Sequence, residues 1–342
     1  SSKNLLAIFQ IMQSQFIKYL KAKTNDNASF ADEIATVLDI GYDAAYRRIN
    51  NKTSLTLEEA VKLARHYKIS LNKLFEVGNT NTITAELPPQ PKDEAGLEQF
   101  LKVSLQNVQA ASKVKGAEII YSAKDIPLFH TLNDSTLTRY KMYVWLKDVN
   151  TKMAQSKITF DDWMKTIPDS LLQTAHDLSN SYKYISITEI WNETTLTGSL
   201  QQVLYYFEAG LVSTEMALKV CQDMVEIVNK IEQQTIQQSL IGGKNEQSYH
   251  LYRCDLHTLQ NTIFVNTKFG QVFFAPFTVL TYFKVEHQET CALMYDFLQK
   301  MMRNSTLLAT AGERDRTLFF NKIHQKIEIA IARIKMDDKM SL

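Results

Sequence analysis

The chain has 342 residues, 45% of them hydrophobic and 22% charged, enough for two or three domains with full cores and too apolar for a disordered protein. A formal net charge of +1 excludes a general polyanion binder, so any affinity for nucleic acid has to come from a local patch. Three scattered cysteines (221, 254 and 291) exclude a disulfide framework, and the longest apolar run, 272–283, is too short to span a bilayer and contains Pro276. The start of the chain has no signal-peptide design, and a cytoplasmic location away from membranes is expected. The first predicted helix carries Leu5, Phe9, Met12, Phe16 and Leu20 on one stripe. That stripe suits a supporting helix in a small core, with a dimer contact as its other use.

From residue 29 the periodicity gives three short helices and the start of a fourth. Ser29 is the expected N-cap of the first, with Asp32 three residues on and Phe30, Ile34, Ala35 and Leu38 forming one face. Asp39, Ile40 and Gly41 then interrupt it, with glycine expected to permit the unusual backbone of the turn and Ile40 pointing inward. The next helix, 42–50, turns Ala45 and Ile49 inward and leaves Tyr46, Arg47 and Arg48 facing outward; the small residue at 45 allows two helices to approach closely. After a polar connection at 51–54, Thr56 and Glu59 form a capping box for a helix with Leu57, Ala60, Val61, Ala64 and Tyr67 on its inner face. Ser70 opens a last turn that Leu71, Leu74 and Phe75 close.

The segments FADEIATVL, DIG, YDAAYRRIN and TLEEAVKLARHYKISLNKLF, about fifty residues together, resemble the DNA-binding domain of lambda-repressor-like helix-turn-helix regulators. The resemblance implies that the helix from Tyr42 enters the major groove of double-stranded DNA, with Tyr46 and Arg47 at base edges and Arg48, Asn51, Lys52 and Ser29 on the backbone. Two positions depart from that family: Ala31 stands where many members place a glutamine, and Tyr42, Asp43 and Ala44 lack the Arg, Gln or Asn that reads bases. Tyr42 suits thymine methyls or sugars, and Asp43 suits a helix start paired with Arg47. Between residues 46 and 68, Arg47, Arg48, Lys52, Lys62, Arg65 and Lys68 oppose only Glu58 and Glu59, a surplus of four positive charges.

Three of the six prolines fall in ELPPQPKDE, which reads as part of a linker. The expected organisation is a helix-turn-helix domain at 1–78, a linker at 79–95 and a dimerisation or effector domain at 96–342. In the last, apolar periodicity predicts helices at 97–111, 137–154, 170–182, 199–207 and 214–238, leaving a repeat-like helical array open. After Gly242 and Gly243, aromatic and β-branched residues predict three antiparallel strands at 249–256, 262–267 and 271–284, then helices at 289–303 and 314–334. The expected fold is thus mainly α: about five helices in the N-terminal domain, and a larger, mostly helical domain with a small antiparallel sheet near its end. AKDIPLFH and ITEIWNETTL resemble phrases in uncharacterised bacterial regulators, a likeness that implies no activity.

No glycine-rich phosphate loop, nucleophile elbow or HExxH appears, so no catalytic residues are assigned and an enzyme is not expected. Cys254 and His257 with His287 and Cys291 have zinc-like spacings, but Cys254 falls in a predicted strand and the pairs lie 30 residues apart. Buried cysteines are the stronger reading, with no metal and no cofactor. His176 and Asp177, as sequence neighbours, point to different sides of one helix. The aromatic residues at 205–207 and 273–283 suit a core, with a ligand pocket as the lesser use. The expected function is a sequence-specific, bacterial-type transcriptional regulator, a homodimer whose larger domain oligomerises and receives a signal. The alternative is a helical protein-interaction module that does not bind DNA.

Overall fold

The computed structural model describes residues 2–24, 30–75, 83–243 and 247–340, with residues 2–10, 73, 339 and 340 in backbone only. The chain forms two compact units, 1–84 and 85–342. In the first, α1 (Ser2–Lys21), α2 (Phe30–Leu38), α3 (Tyr42–Ile49), α4 (Leu57–His66) and α5 (Leu71–Phe75) surround a small core. Phe16, Ile17, Leu20, Ile34, Leu38, Ala45, Leu63 and Ala64 fill it. Ala45 is fully buried where α3 meets α2, and only a side chain this small fits so close a contact. Ile40, Ile49, Leu71, Leu74 and Phe75 pack around the edge.

Each of α2, α3 and α4 ends the same way. One residue is left-handed at each end: Asp39 (φ 57°) directly after α2, and Asn51 (φ 57°) and Lys68 (φ 53°) just past Asn50 and Tyr67, the C-caps of α3 and α4. The next amide reaches back five residues, from Ile40 to the Ala35 carbonyl (3.0 Å), Lys52 to Arg47 (2.8 Å) and Ile69 to Ala64 (2.8 Å). This paired closure satisfies carbonyls that a helix end would otherwise leave bare. It corrects the role expected for Gly41, which is extended (φ −67°, ψ 154°) and serves as the N-cap of α3. Asp39 takes the left-handed position instead, because a short polar side chain tolerates it better than most.

The second unit carries α6 (Glu94–Ser112), β1 (Glu118–Ser122), α7 (Leu128–Thr131), α8 (Thr136–Val149), α9 (Thr151–Gln155), α10 (Phe160–Trp163) and α11 (Asp169–Ser181). There follow β2 (Ser186–Trp191), α12 (Thr197–Glu208), α13 (Thr214–Gln237), β3 (Tyr249–Arg253), β4 (Thr262–Thr267), β5 (Gly270–Pro276) and β6 (Tyr282–Val285). The last elements are α14 (Gln288–Arg303), β7 (Thr306–Leu307) and α15 (Glu313–Met340). The strands form one seven-stranded mixed sheet in the order β6-β5-β4-β1-β2-β3-β7. β1, β2 and β3 run parallel, and β4, β5 and β6 are added antiparallel beside β1.

This sheet overturns the expected small antiparallel sheet near the chain end. β1 and β2 lie at its centre with almost every residue buried, so they read as short continuous apolar runs rather than as alternating strands. β3 does not pair with β4; it lies parallel to β2 and antiparallel to the two-residue β7. The stretch 271–284 is two strands, because Pro276 lacks an amide to continue the ladder and Phe277 turns back onto the Thr281 carbonyl at 2.8 Å. β2 also separates α11 from α12, which removes the helical array. The helix expected at 137–154 breaks at Asn150, whose extended backbone lets its side chain cap α9 through the Met153 amide (2.9 Å).

Ile119, Tyr121, Ile187, Tyr249 and Leu251 face one large core with α6, α8, α11, α13 and α15. Ile120, Ile190, Phe264 and Phe273 face a smaller one closed by α14. Helices on both sides are what a sheet with buried parallel strands requires. Residues of the expected linker belong to this unit: Glu86 bridges to Lys284, and Asp93 caps α6 through Gly96 N at 2.8 Å.

Candidate nucleic-acid interface

The outward side of α3 is a stripe of Tyr42, Asp43, Tyr46, Arg47 and Asn50, all exposed. Their spacing follows the helical repeat, so burial of Ala45 on one side forces these five onto the other. Tyr42 and Tyr46 are about half exposed and stack, with ring centroids 6.3 Å apart and planes 17° apart. Asn50 is folded back, its Nδ2 donating to the Tyr46 carbonyl at 2.9 Å. Arg47 has no ion pair among the described residues, and its guanidinium keeps its donors for a partner.

Arg48, the next residue, is differently placed. Its Nε and Nη2 donate to the two oxygens of Glu59 at 3.0 and 2.7 Å, and its Nη1 donates to the Ala44 carbonyl at 3.1 Å. Glu59 Oε2 also accepts from the amide of Thr56, whose hydroxyl accepts from Glu59 N, completing the expected capping box. Arg48 therefore ties α3 to the start of α4 instead of standing free for phosphate. The fork holds the Glu59 carboxyl below its ordinary range, and Glu59 raises Arg48. The surplus of positive charge between 46 and 68 then rests on Arg47, Lys52, Lys62, Arg65 and Lys68, each exposed.

The connection after α3 is fastened to α1. Gln13 Nε2 donates to the carbonyls of Arg48 (2.8 Å) and Thr53 (2.9 Å), and Gln13 Oε1 accepts from Leu55 N at 2.9 Å. Asn51 Nδ2 donates to Ser14 Oγ at 2.7 Å, which occupies the side chain that the resemblance assigned to the DNA backbone. The role of Gln13 has no local periodic signal in the sequence, because its partners lie 35 to 42 residues away. Lys52 projects from this fastened connection and is exposed. Ala31 is buried on α2. Ser29 lies outside the described residues. Of the expected contact residues, α3 thus brings Tyr42, Asp43, Tyr46 and Arg47 together, with Lys52 just beyond its end.

The zinc-like set does not assemble. Cys254 and Cys291 are buried free thiols, and Cys291 Sγ lies 3.4 Å from the Val285 carbonyl, where burial pushes the thiol up. His287 caps α14 through its Nδ1, 3.4 Å from Thr290 N, and His257 packs edge-on against Phe297. No group of three or more His, Cys, Asp or Glu is arranged to hold a metal among the described residues. His176 is exposed, and Asp177 accepts from Gln173 Nε2 at 2.8 Å. No described helix is long and apolar enough to cross a membrane. Compared with protein-family models, with curated proteins and with solved structures, the chain finds no match in any of the three.

Proposed function

We propose that the first unit is a sequence-specific binder of double-stranded DNA and that the chain is a transcriptional regulator acting as a homodimer. The observation that carries this reading is the exposed stripe on α3, a short helix braced from behind by the Arg48–Glu59 fork and from its end by Gln13. A helix held that rigidly presents Tyr46 and Arg47 as a fixed pattern to base edges, while Lys52 and the cations of α4 neutralise phosphates. One such unit covers too little DNA for high affinity, so pairing through the second unit supplies the remainder, and that unit is also where a signal is received.

Selecting genomic fragments on the purified full chain at two salt concentrations tests this. Recovery of a paired motif whose binding weakens steeply with salt is the expected result. The stacked tyrosines favour a second reading, since exposed aromatic residues without a base-reading Arg, Gln or Asn at the helix start also suit a protein contact. A folded chain that selects no DNA, yet retains a protein partner with little response to salt, would support that alternative instead.

A further inference from the structure

The second unit contains a cavity of about 340 Å³ between the connections that leave the carboxyl ends of β1 and β2 and the turn joining β5 to β6. Ligands of sheets with parallel strands settle in this position, outside the strand ends. Its polar end is built from three separate parts of the chain. Asp125 follows β1, Lys141 comes from α8, and Gly198 lies in the first turn of α12. Ser199 Oγ donates to the Asp125 carboxylate, 2.7 Å from either oxygen, and accepts from Lys141 Nζ, which stands 3.5 Å from Asp125 Oδ2. The backbone that delivers α12 is unusual: Leu196, fully buried, has φ 86°, and Thr195 Oγ1 secures the turn by donating to the Ala123 carbonyl at 2.9 Å.

The Lys141 side chain is 9% exposed and that of Asp125 28%. An ammonium has three donors, and Ser199 and Asp125 occupy two, which leaves one for the cavity that Lys141 lines. Asp125 also accepts from Ile126 N at 2.8 Å and keeps lone pairs unused. The two charges balance. Phe100, Tyr121, Trp145 and Tyr282 supply aromatic walls, and burial pushes both phenols up, so they remain neutral hydrogen-bonding groups.

We propose that this cavity binds a small zwitterion of the amino-acid class with an aromatic or branched apolar side group. Its ammonium pairs with Asp125, its carboxylate with Lys141 and the amide end of α12, and its side group lies among the aromatic walls. A ligand of single charge would add an uncompensated ion to a half-enclosed site whose own ions already cancel, whereas one bearing both signs is matched at both ends. The volume lies at the small end of the roughly 300–1,000 Å³ range of ligand pockets, too tight for a nucleotide with its phosphates. This assignment concerns the second unit alone and holds whether or not α3 binds DNA.

Isothermal titration calorimetry of the full chain with L-phenylalanine, L-tryptophan and L-leucine tests it, with 3-phenylpropionate and phenethylamine as single-charge controls. At least one amino acid should bind saturably at one per chain, and each control at least tenfold more weakly. Lys141→Met should abolish binding. Gln202→Trp, which fills the cavity from a half-buried position on α12, should do the same in a chain whose thermal unfolding is unchanged. Absence of saturable binding by all three amino acids, equal binding of a control, or full binding by folded Gln202→Trp would each overturn the proposal.

Discussion

The two units place their charged groups in opposite ways. In the first, a core of eight buried apolar residues leaves no room for charge, and Arg48, Glu59 and Gln13 act at the edge, bracing a helix whose working side faces outward. In the second, the interior itself holds titratable side chains: Glu189 is fully buried on β2, accepts from Trp191 Nε1 at 2.6 Å and shares a hydrogen with His130 Nε2 at 2.7 Å. Lys141 and Lys147 are buried as well, each with a partner of its own. A large core can enclose polar groups when each is paired, at the cost of depending on every pair. A small core cannot, so its polar residues serve presentation.

The largest expected effect lies in that interior. Glu189→Ala leaves the buried Trp191 Nε1 donor and the His130 ring nitrogen without their partner and should lower the stability of the second unit by about 3 kcal/mol. All three tryptophans lie at 145, 163 and 191, so the fluorescence-detected unfolding of this unit alone should shift, with no change in the first. An unshifted midpoint would show that the second unit does not depend on these buried pairs.

Next comes the brace. Glu59→Ala removes the capping box and the partner of Arg48 together, and denaturant unfolding of the first unit should lose about 2 kcal/mol. The same pair sets a pH dependence. Because Glu59 is held below its ordinary value of 4.5 in the folded state, its contribution is fully present above that value and is lost as pH falls through the depressed one. Acid unfolding of the Glu59→Gln variant should therefore be flatter below pH 4.5 than that of the parent chain.

Smaller effects test presentation against structure. Lys52→Ala should weaken DNA binding several-fold on all sequences alike and reduce the salt slope by about 1, without moving the unfolding midpoint. Lys68→Gly relieves a left-handed lysine in an exposed closure and should stabilise the first unit by about 1 kcal/mol.

What was legible in the sequence follows the same division. α2, α3, α4 and the capping box are set by contacts within a few residues, and caps and apolar spacing announce them. Ala45 could be assigned to the interior for that reason. That Arg48 is tied while Arg47 stands free among the described residues has no local signal, because the difference is made by Glu59, eleven residues on and across a turn. β1 and β2 carry no strand signal of their own, because central parallel strands lose the alternation that marks a half-buried strand, and their pairing joins residues as far apart as Ile119 and Ile187. The cluster of Asp125, Lys141 and Ser199 was invisible for a related reason: it exists only once the sheet brings the loop after β1 beside the start of α12.

The most direct test of the central claim compares the full chain with Arg47→Ala on a duplex recovered by selection, measuring affinity at two salt concentrations. Arg47 is exposed and without an ion pair among the described residues, so its loss should leave folding unchanged, weaken binding by roughly 10- to 100-fold and flatten discrimination at one base position. Undiminished affinity and discrimination in the folded variant would contradict the assignment of α3 as the DNA-reading helix.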